Sequence, residues 1–199
     1  MTGSFLHEPA TSAEVQALYD EDLADGDYVW NVSRLWAHQP ATVQKLFELM
    51  SGAFKPSGLS FRQRGILVTA AASALGDSYC SLAWGGKLSE ASDPAVAAGV
   101  LNGSDAELTD QEKAIASWAR QVARDPNATT PADVQALREA GLDDGQIFAI
   151  TAFVALRLAF STINDSLGAQ PDAQLAQSLP PEVREAVTYG RPVGDELSA

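Results

Sequence analysis

Apolar residues recur along this chain at intervals of three and four, the spacing that lines one face of an α-helix. Near the end the pattern doubles. Ile147, Ile150, Val154 and Leu158 form one stripe, and Phe148, Ala152, Leu156, Phe160 and Ile163 form another. A helix apolar on most of its circumference belongs in the centre of a core or against another subunit. The segment from Phe61 behaves similarly, with Ile66, Leu67, Val68 and a run of alanines that permits close helix approach. Two such helices in a 21 kDa chain predict a homo-oligomer. Alternating apolar and polar β-branched runs are missing from the sequence, so strands are not expected.

Helix punctuation gives the boundaries. Thr11 with Glu14, Ser60 with Gln63, and Thr109 with Glu112 have capping-box spacing. Asp93-Pro94 and Thr130-Pro131 put a capping residue before a proline at the first helical position. Gly58, Gly141 and Gly168 stand where helices should stop. The spacing predicts helices near 12–24, 29–38, 40–54, 60–74, 80–90, 94–101, 110–124, 131–140 and 144–167. A looser tail follows, with a short helix at 181–188. The expected protein is all-α: an N-terminal arm and helix (1–28), a helical domain (29–168) and a C-terminal tail (169–199). No repeat of solenoid period is present.

Charge narrows the partners. Thirteen Lys and Arg stand against 26 Asp and Glu, a net charge of -13. Phosphate-rich nucleic acid and anionic membrane surfaces are both disfavoured. The N-terminal Met1–Pro9 lacks the basic start and apolar run of a signal peptide. The longest apolar run, Ile147 to Phe160, contains Thr151 and Arg157 and is too short to span a bilayer. A single cysteine makes no internal disulfide, and a cytoplasmic location is expected. The Asn-x-Ser/Thr triplets at Asn31, Asn102, Asn127 and Asn164 are then chance matches. One cysteine and two separated histidines give no metal-ligand spacing, and no cofactor is expected.

The candidate chemistry centres on Cys80, in Gly76-Asp-Ser-Tyr-Cys-Ser-Leu-Ala-Trp84, where a helix restarts after a glycine. Two readings stand. The positive end of a helix stabilises a thiolate, whereas a buried cysteine is a small inert hydrophobe. Asp77 beside it raises the thiol pKa through like charge. Tyr79 either packs or donates a hydrogen bond near the thiol. Arg157 interrupts an apolar helix, so its charge is either paired, with Asp165 or Asp77, or faces a cavity and binds a substrate carboxylate. His38, in Leu35-Trp-Ala-His-Gln-Pro40, either caps the preceding helix or serves as a base, while His7 lies in a terminal segment. Asn164 and Asp165 are expected to be exposed or capping.

The stretch Leu59–Trp84, with Leu108–Ala114 and Asp133–Ile147, resembles the carboxymuconolactone decarboxylase and alkylhydroperoxidase-D-like superfamily. The resemblance is one of order and helix pattern over roughly 30–168. It implies the alkylhydroperoxidase-D-like helical fold and a trimer or hexamer. Family peroxidases carry a Cys-x-x-Cys pair, a histidine four residues after the second cysteine and a glutamate on the preceding helix. Cys80 aligns with the second cysteine. Asp77 holds the place of the first, Trp84 that of the histidine and Gly65 that of the glutamate. A two-cysteine peroxidase needs a resolving thiol, so that mechanism is closed to this chain. Three readings remain: a one-cysteine peroxidase or related oxidoreductase using Cys80 with an external thiol, an acid–base enzyme on a small organic acid with Arg157 as anchor and His38 or Asp77 as base, and a non-catalytic oligomeric ligand-binding or scaffold protein with an apolar pocket beside Trp84.

Overall fold

A computed structural model describes residues 3–195. The described residues form eleven α-helices and no strands. They are α1 (Ala13–Gly26), α2 (Asn31–Trp36), α3 (Pro40–Phe54), α4 (Phe61–Leu75), α5 (Ser78–Ala91), α6 (Pro94–Leu101), α7 (Asp110–Arg124), α8 (Pro131–Glu139), α9 (Asp144–Ser166), α10 (Ala173–Ser178) and α11 (Pro181–Ala186).

Local capping chemistry sets most of the boundaries. Ser60 with Gln63 and Thr109 with Glu112 close reciprocal capping boxes, and Thr130 with Asp133 and Asp143 with Gln146 add two more. Asp93 accepts from the Ala95 N–H ahead of Pro94. At α1 the expected Thr11 box is replaced. The helix begins one residue later, so Ser12 accepts from the Val15 N–H and donates its own hydroxyl to Glu14.

Helix α4 lies at the centre, packed by α5, α6, α7 and α9. Every residue from Gly65 to Ala72 is buried, so its apolar circumference is satisfied within the chain. Gly65 permits the close crossing with α5, where an added Cβ would lie 3.3 Å from Leu88 Cβ and Cδ1. Helix α9, at 23 residues, is longer than its apolar run suggests and has the length and composition to cross a membrane. Ile150, Phe153, Val154 and Arg157 are nonetheless buried in the helical body, which makes α9 a core helix.

The tail is more ordered than its sequence pattern suggests. Helix α10 is unforeseen, and α11 docks on α6 and α5 with Val183 fully buried. Gly85 and Gly86 make its seat. An added Cβ would meet Val183 at 3.0 Å and Leu179 at 2.5 Å respectively. Further on, the Tyr189 hydroxyl donates to Ser81 Oγ at 3.0 Å. The N-terminal arm is tied to the end of α9, with the Phe5 N–H donating to the Leu167 carbonyl and the Gln170 N–H to the Gly3 carbonyl.

Candidate active site

Gly76, at φ +82°, ends α4, and Asp77 opens α5 directly after it. Asp77 Oδ1 accepts the Cys80 N–H at 2.9 Å, so Cys80 sits in the first turn of α5 and points inward. Cys80 is buried, with 2 per cent of its surface exposed, yet it lines a cavity. Helix α9 approaches from the other side. Arg157 Nη2 donates to Cys80 Sγ at 3.3 Å, and the Ser161 hydroxyl, one turn further along, lies 3.6 Å from the same sulfur.

These contacts correct the expected pairing of Arg157. Its guanidinium has no carboxylate partner among the described residues. Nη1 lies 4.0 Å from Met50 Sδ, and Nε is buried without a hydrogen-bond partner. Asp77 is committed to the helix cap. Asp165 lies eight residues along the same helix, about 12 Å away in rise, and the positive charge acting on it is that of Arg191, not Arg157.

The electrostatics of the thiol are a contest. Burial pushes the Cys80 thiol far up, and the Asp77 carboxylate adds to the rise. Arg157 and Ser161 pull it down without prevailing. The helix N-terminus therefore does not by itself produce a resting thiolate. Asp77 is fully buried, and its Oδ2 has no hydrogen-bond partner.

The cavity has a volume of about 340 Å³. Cys80, Trp84 and Arg157 line it, facing Trp36, Phe160 and residues of α1 that include Leu18. Trp84 is buried and surrounded by cations: Arg64 Cζ lies 5.1 Å, Lys87 Nζ 5.2 Å and Arg157 Cζ 5.4 Å from its ring centroid. Trp36 stacks on Phe160 at 5.6 Å and donates its indole N–H to Asn164 Oδ1 at 2.8 Å. Asn164 is thus fully buried rather than exposed or capping.

Several expected site residues lie elsewhere. Tyr79 lines the cavity, but its hydroxyl donates to the buried Asp172 carboxylate rather than toward the thiol. Asp172 also accepts the Asn31 N–H at 2.8 Å. Burial, reinforced by Asp172, holds the Tyr79 pKa well above its ordinary value. Gly65 faces Leu88 and is absent from the cavity wall, because its role is helix crossing. His38 is exposed, with its ring 3.0 Å from the His7 carbonyl rather than against the end of α2. It therefore cannot serve as a base beside Arg157. Among the described residues no cluster of three or more His, Cys, Asp and Glu could hold a metal.

Sequence reasoning did not identify Arg64, Lys87 or Ser161. Lys87 and Ser161 share a helix face with a residue already in view, while Arg64 does not. Arg64 precedes Gly65, Lys87 stands three residues after Trp84, and Ser161 stands four after Arg157.

Solved structures with the same arrangement decide the fold. A peroxidase-related protein from Ralstonia eutropha JMP134, described as an alkylhydroperoxidase AhpD core, superposes with a TM-score of 0.76 at 24% identity, covering 86% of this chain and 94% of the other. This chain has the alkylhydroperoxidase-D-like fold. A second peroxidase-related protein, from Silicibacter sp. TM1040, gives a TM-score of 0.78 at 19% identity over 88% and 95% of the two chains. The debrominase Bmp8 gives 0.71 at 13% identity over 92% and 97%. No family model and no curated protein matches the chain by sequence. The alkylhydroperoxidase-D-like fold agrees with the resemblance read over residues 30–168.

Proposed function

We propose that this protein is a one-cysteine thiol oxidoreductase that reduces a hydroperoxide at Cys80 with an external thiol as reductant. The carrying observation is that Cys80 lines the cavity, with Arg157 Nη2 3.3 Å from its sulfur. Two peroxidase-related proteins share the fold, and a cysteine-to-alanine variant of the debrominase was crystallised with 2,3,4-tribromopyrrole. That complex supports a small-molecule ligand for this fold.

The raised thiol pKa is compatible with this chemistry. The Asp77 carboxylate caps the turn that carries Cys80, and in this scheme it is the proton acceptor. Moving the proton from Sγ to Asp77 changes no net charge, and Arg157 is placed to favour the thiolate that results. The thiolate attacks the distal peroxide oxygen, the O–O bond breaks and an S–O bond forms. The departing alkoxide takes the proton from Asp77, leaving an alcohol and a Cys80 sulfenic acid. One external thiol condenses with the sulfenic acid, forming a mixed disulfide and water. A second thiol attacks the external sulfur of that disulfide, regenerating Cys80 and releasing the oxidised reductant. A reducing cytosol suits this cycle.

Self-association accompanies this reading. Phe148 is 75% exposed, and Ala155, Ala159 and Ile163 continue its face of α9. Such a face is suited to a second copy of the chain, and sedimentation analysis giving only monomer at micromolar concentration would remove it.

The test is peroxide turnover. Cumene hydroperoxide and dithiothreitol should be consumed together, and a dimedone adduct should appear on Cys80 by mass spectrometry. Cys80→Ser should abolish both. A native protein that consumes no hydroperoxide and whose Cys80 stays unmodified overturns the proposal.

A further inference from the structure

We propose that the cavity binds a singly charged aromatic carboxylate, its ring against the aromatic wall and its carboxylate on Arg157 and Arg64. The inference rests on the reading of this cavity as the site of Cys80 chemistry, but it concerns binding, which is measured without turnover.

The first argument is charge that lacks a partner. The chain has twice as many acidic as basic residues, so carboxylates are abundant. Other cations take them: Arg62 pairs with Glu112 at 2.7 Å and Arg120 with Asp105 at 2.8 Å. The three cations around Trp84 make no ion pair among the described residues, although Asp25 and Glu90 act on Lys87 at longer range. A buried guanidinium without a counter-ion is costly, and Arg157 is 93 per cent covered. Both Arg157 and Arg64 also keep a buried Nε without a hydrogen-bond partner. Burial lowers the affinity of Arg64 and Lys87 for their protons, and the Arg157 charge adds to it, so the cations act against one another. An anion between them relieves this repulsion, and a guanidinium presents paired donors suited to a carboxylate.

The second argument is the wall. Six aromatic residues line it, Trp36, Trp84 and Phe160 among them. A dry cavity of about 150 Å³ holds one benzene ring, so about 340 Å³ accommodates a one- or two-ring molecule. The third argument sets the charge. Glu21 and Asp22 of α1 also line the cavity, opposite the cations in sign. Asp22 is committed to the Trp30 N–H at 3.0 Å, and Glu21 is exposed. Three positive groups against two negative ones leave a net charge of one to neutralise, which favours a monoanion.

The experiment uses Cys80→Ser protein, so that thiol chemistry contributes nothing. Titration calorimetry with 2-naphthoate should show saturable binding at least about tenfold tighter than with neutral 2-naphthamide, the difference a charged hydrogen bond provides. Arg157→Gln should remove that preference. Arg64→Gln, at a half-buried position, should weaken it independently, so a folding defect in one variant leaves the other informative. Equal affinity for the acid and the amide, or no binding of either, overturns the inference. Naphthoate binding beside an unreactive native Cys80 would defeat the oxidoreductase reading and leave this one standing. Hydroperoxide turnover without naphthoate binding would do the reverse.

Discussion

Arg157 Nη2 lies 3.3 Å from Cys80 Sγ, joining a residue of the ninth helix to one of the fifth across 77 positions of sequence. The contact replaces the ion pair an arginine in an apolar helix ordinarily makes. It also places a fixed positive charge against a thiol that burial and Asp77 drive the other way. The reactivity of Cys80 therefore depends on Asp77 and Arg157 together.

Asp77→Asn tests the like charge beside the thiol. In the native protein burial and the Asp77 carboxylate hold the Cys80 thiol far up, so alkylation by iodoacetamide should be slow and should rise with pH, on the order of tenfold per unit, as for a simple thiol below its pKa. The asparagine variant keeps a side-chain acceptor for the Cys80 N–H but loses the like charge. Its alkylation should therefore be faster than that of the native protein at every pH between 6 and 8. Identical rates for the two proteins would show that Asp77 plays no part in ionising Cys80.

Helices whose ends are set by their own side chains were legible in sequence. Ser60 with Gln63 and Thr109 with Glu112 act within four residues, and the distant bonds of Gln63 to Gln111 and Glu112 to Arg62 leave both caps closed. Helix α10 was not legible for the converse reason. Its preceding residue, Asp172, makes no cap and instead joins Tyr79 to Asn31, while Leu179 beyond it fills the space above Gly86. The site divides the same way. Cys80 and Trp84 are one helical turn apart and readable as neighbours. The convergence of Arg64 and Arg157 on that indole requires the crossing of α4, α5 and α9, which no local pattern encodes. Asp77 was visible as a charge beside the thiol. Its commitment to the α5 cap depended on where that helix begins.

Tyr79→Phe tests the clamp between α5 and the tail. The substitution keeps the ring and removes the one hydroxyl donated to buried Asp172. An under-satisfied buried carboxylate costs about 1–3 kcal/mol, and for a chain of this size each kcal/mol lowers Tm by about 2–4 °C. Urea unfolding should show the loss as a lower midpoint with an unchanged slope. A midpoint equal to that of the native protein would mean that the bond contributes nothing net.

Asp165 makes stability depend on pH near neutrality. Burial and the Asp77 carboxylate push it up to about 7, against the pull of Arg191. A carboxyl raised in the folded state binds its proton more tightly there than in the unfolded chain. Its stabilising contribution is complete below the unfolded value near 4 and is lost as pH rises through about 7. Asp165 is half-buried, so solvent screening reduces the effect to about 1–2 kcal/mol. Carboxylates held low, such as Glu112 and Asp133, act in the opposite sense and below this window. Native Tm should therefore fall between pH 5 and pH 8, and Asp165→Asn should flatten that decline and stabilise the protein at pH 8. A variant with the native slope would remove Asp165 as its source.

Gly65→Glu should fail to bring a carboxylate into the site from α4. The Cβ of any residue there would stand 3.3 Å from Leu88 Cβ and Cδ1, tighter than ordinary packing, at the crossing of two buried helices. A carboxylate beyond that Cβ enters an apolar contact, and burying it unpaired costs several kcal/mol. Gly65→Ala separates the two effects. It meets the same close contact but gains about 1 kcal/mol of helix propensity over glycine, so it should fold with a small change of either sign. Thermal unfolding should place the alanine variant within a few degrees of the native protein and the glutamate variant far below it, or in the insoluble fraction. A soluble glutamate variant of native stability would mean that α4 and α5 can separate enough to admit a charged side chain, and that Gly65 is not required by the fold.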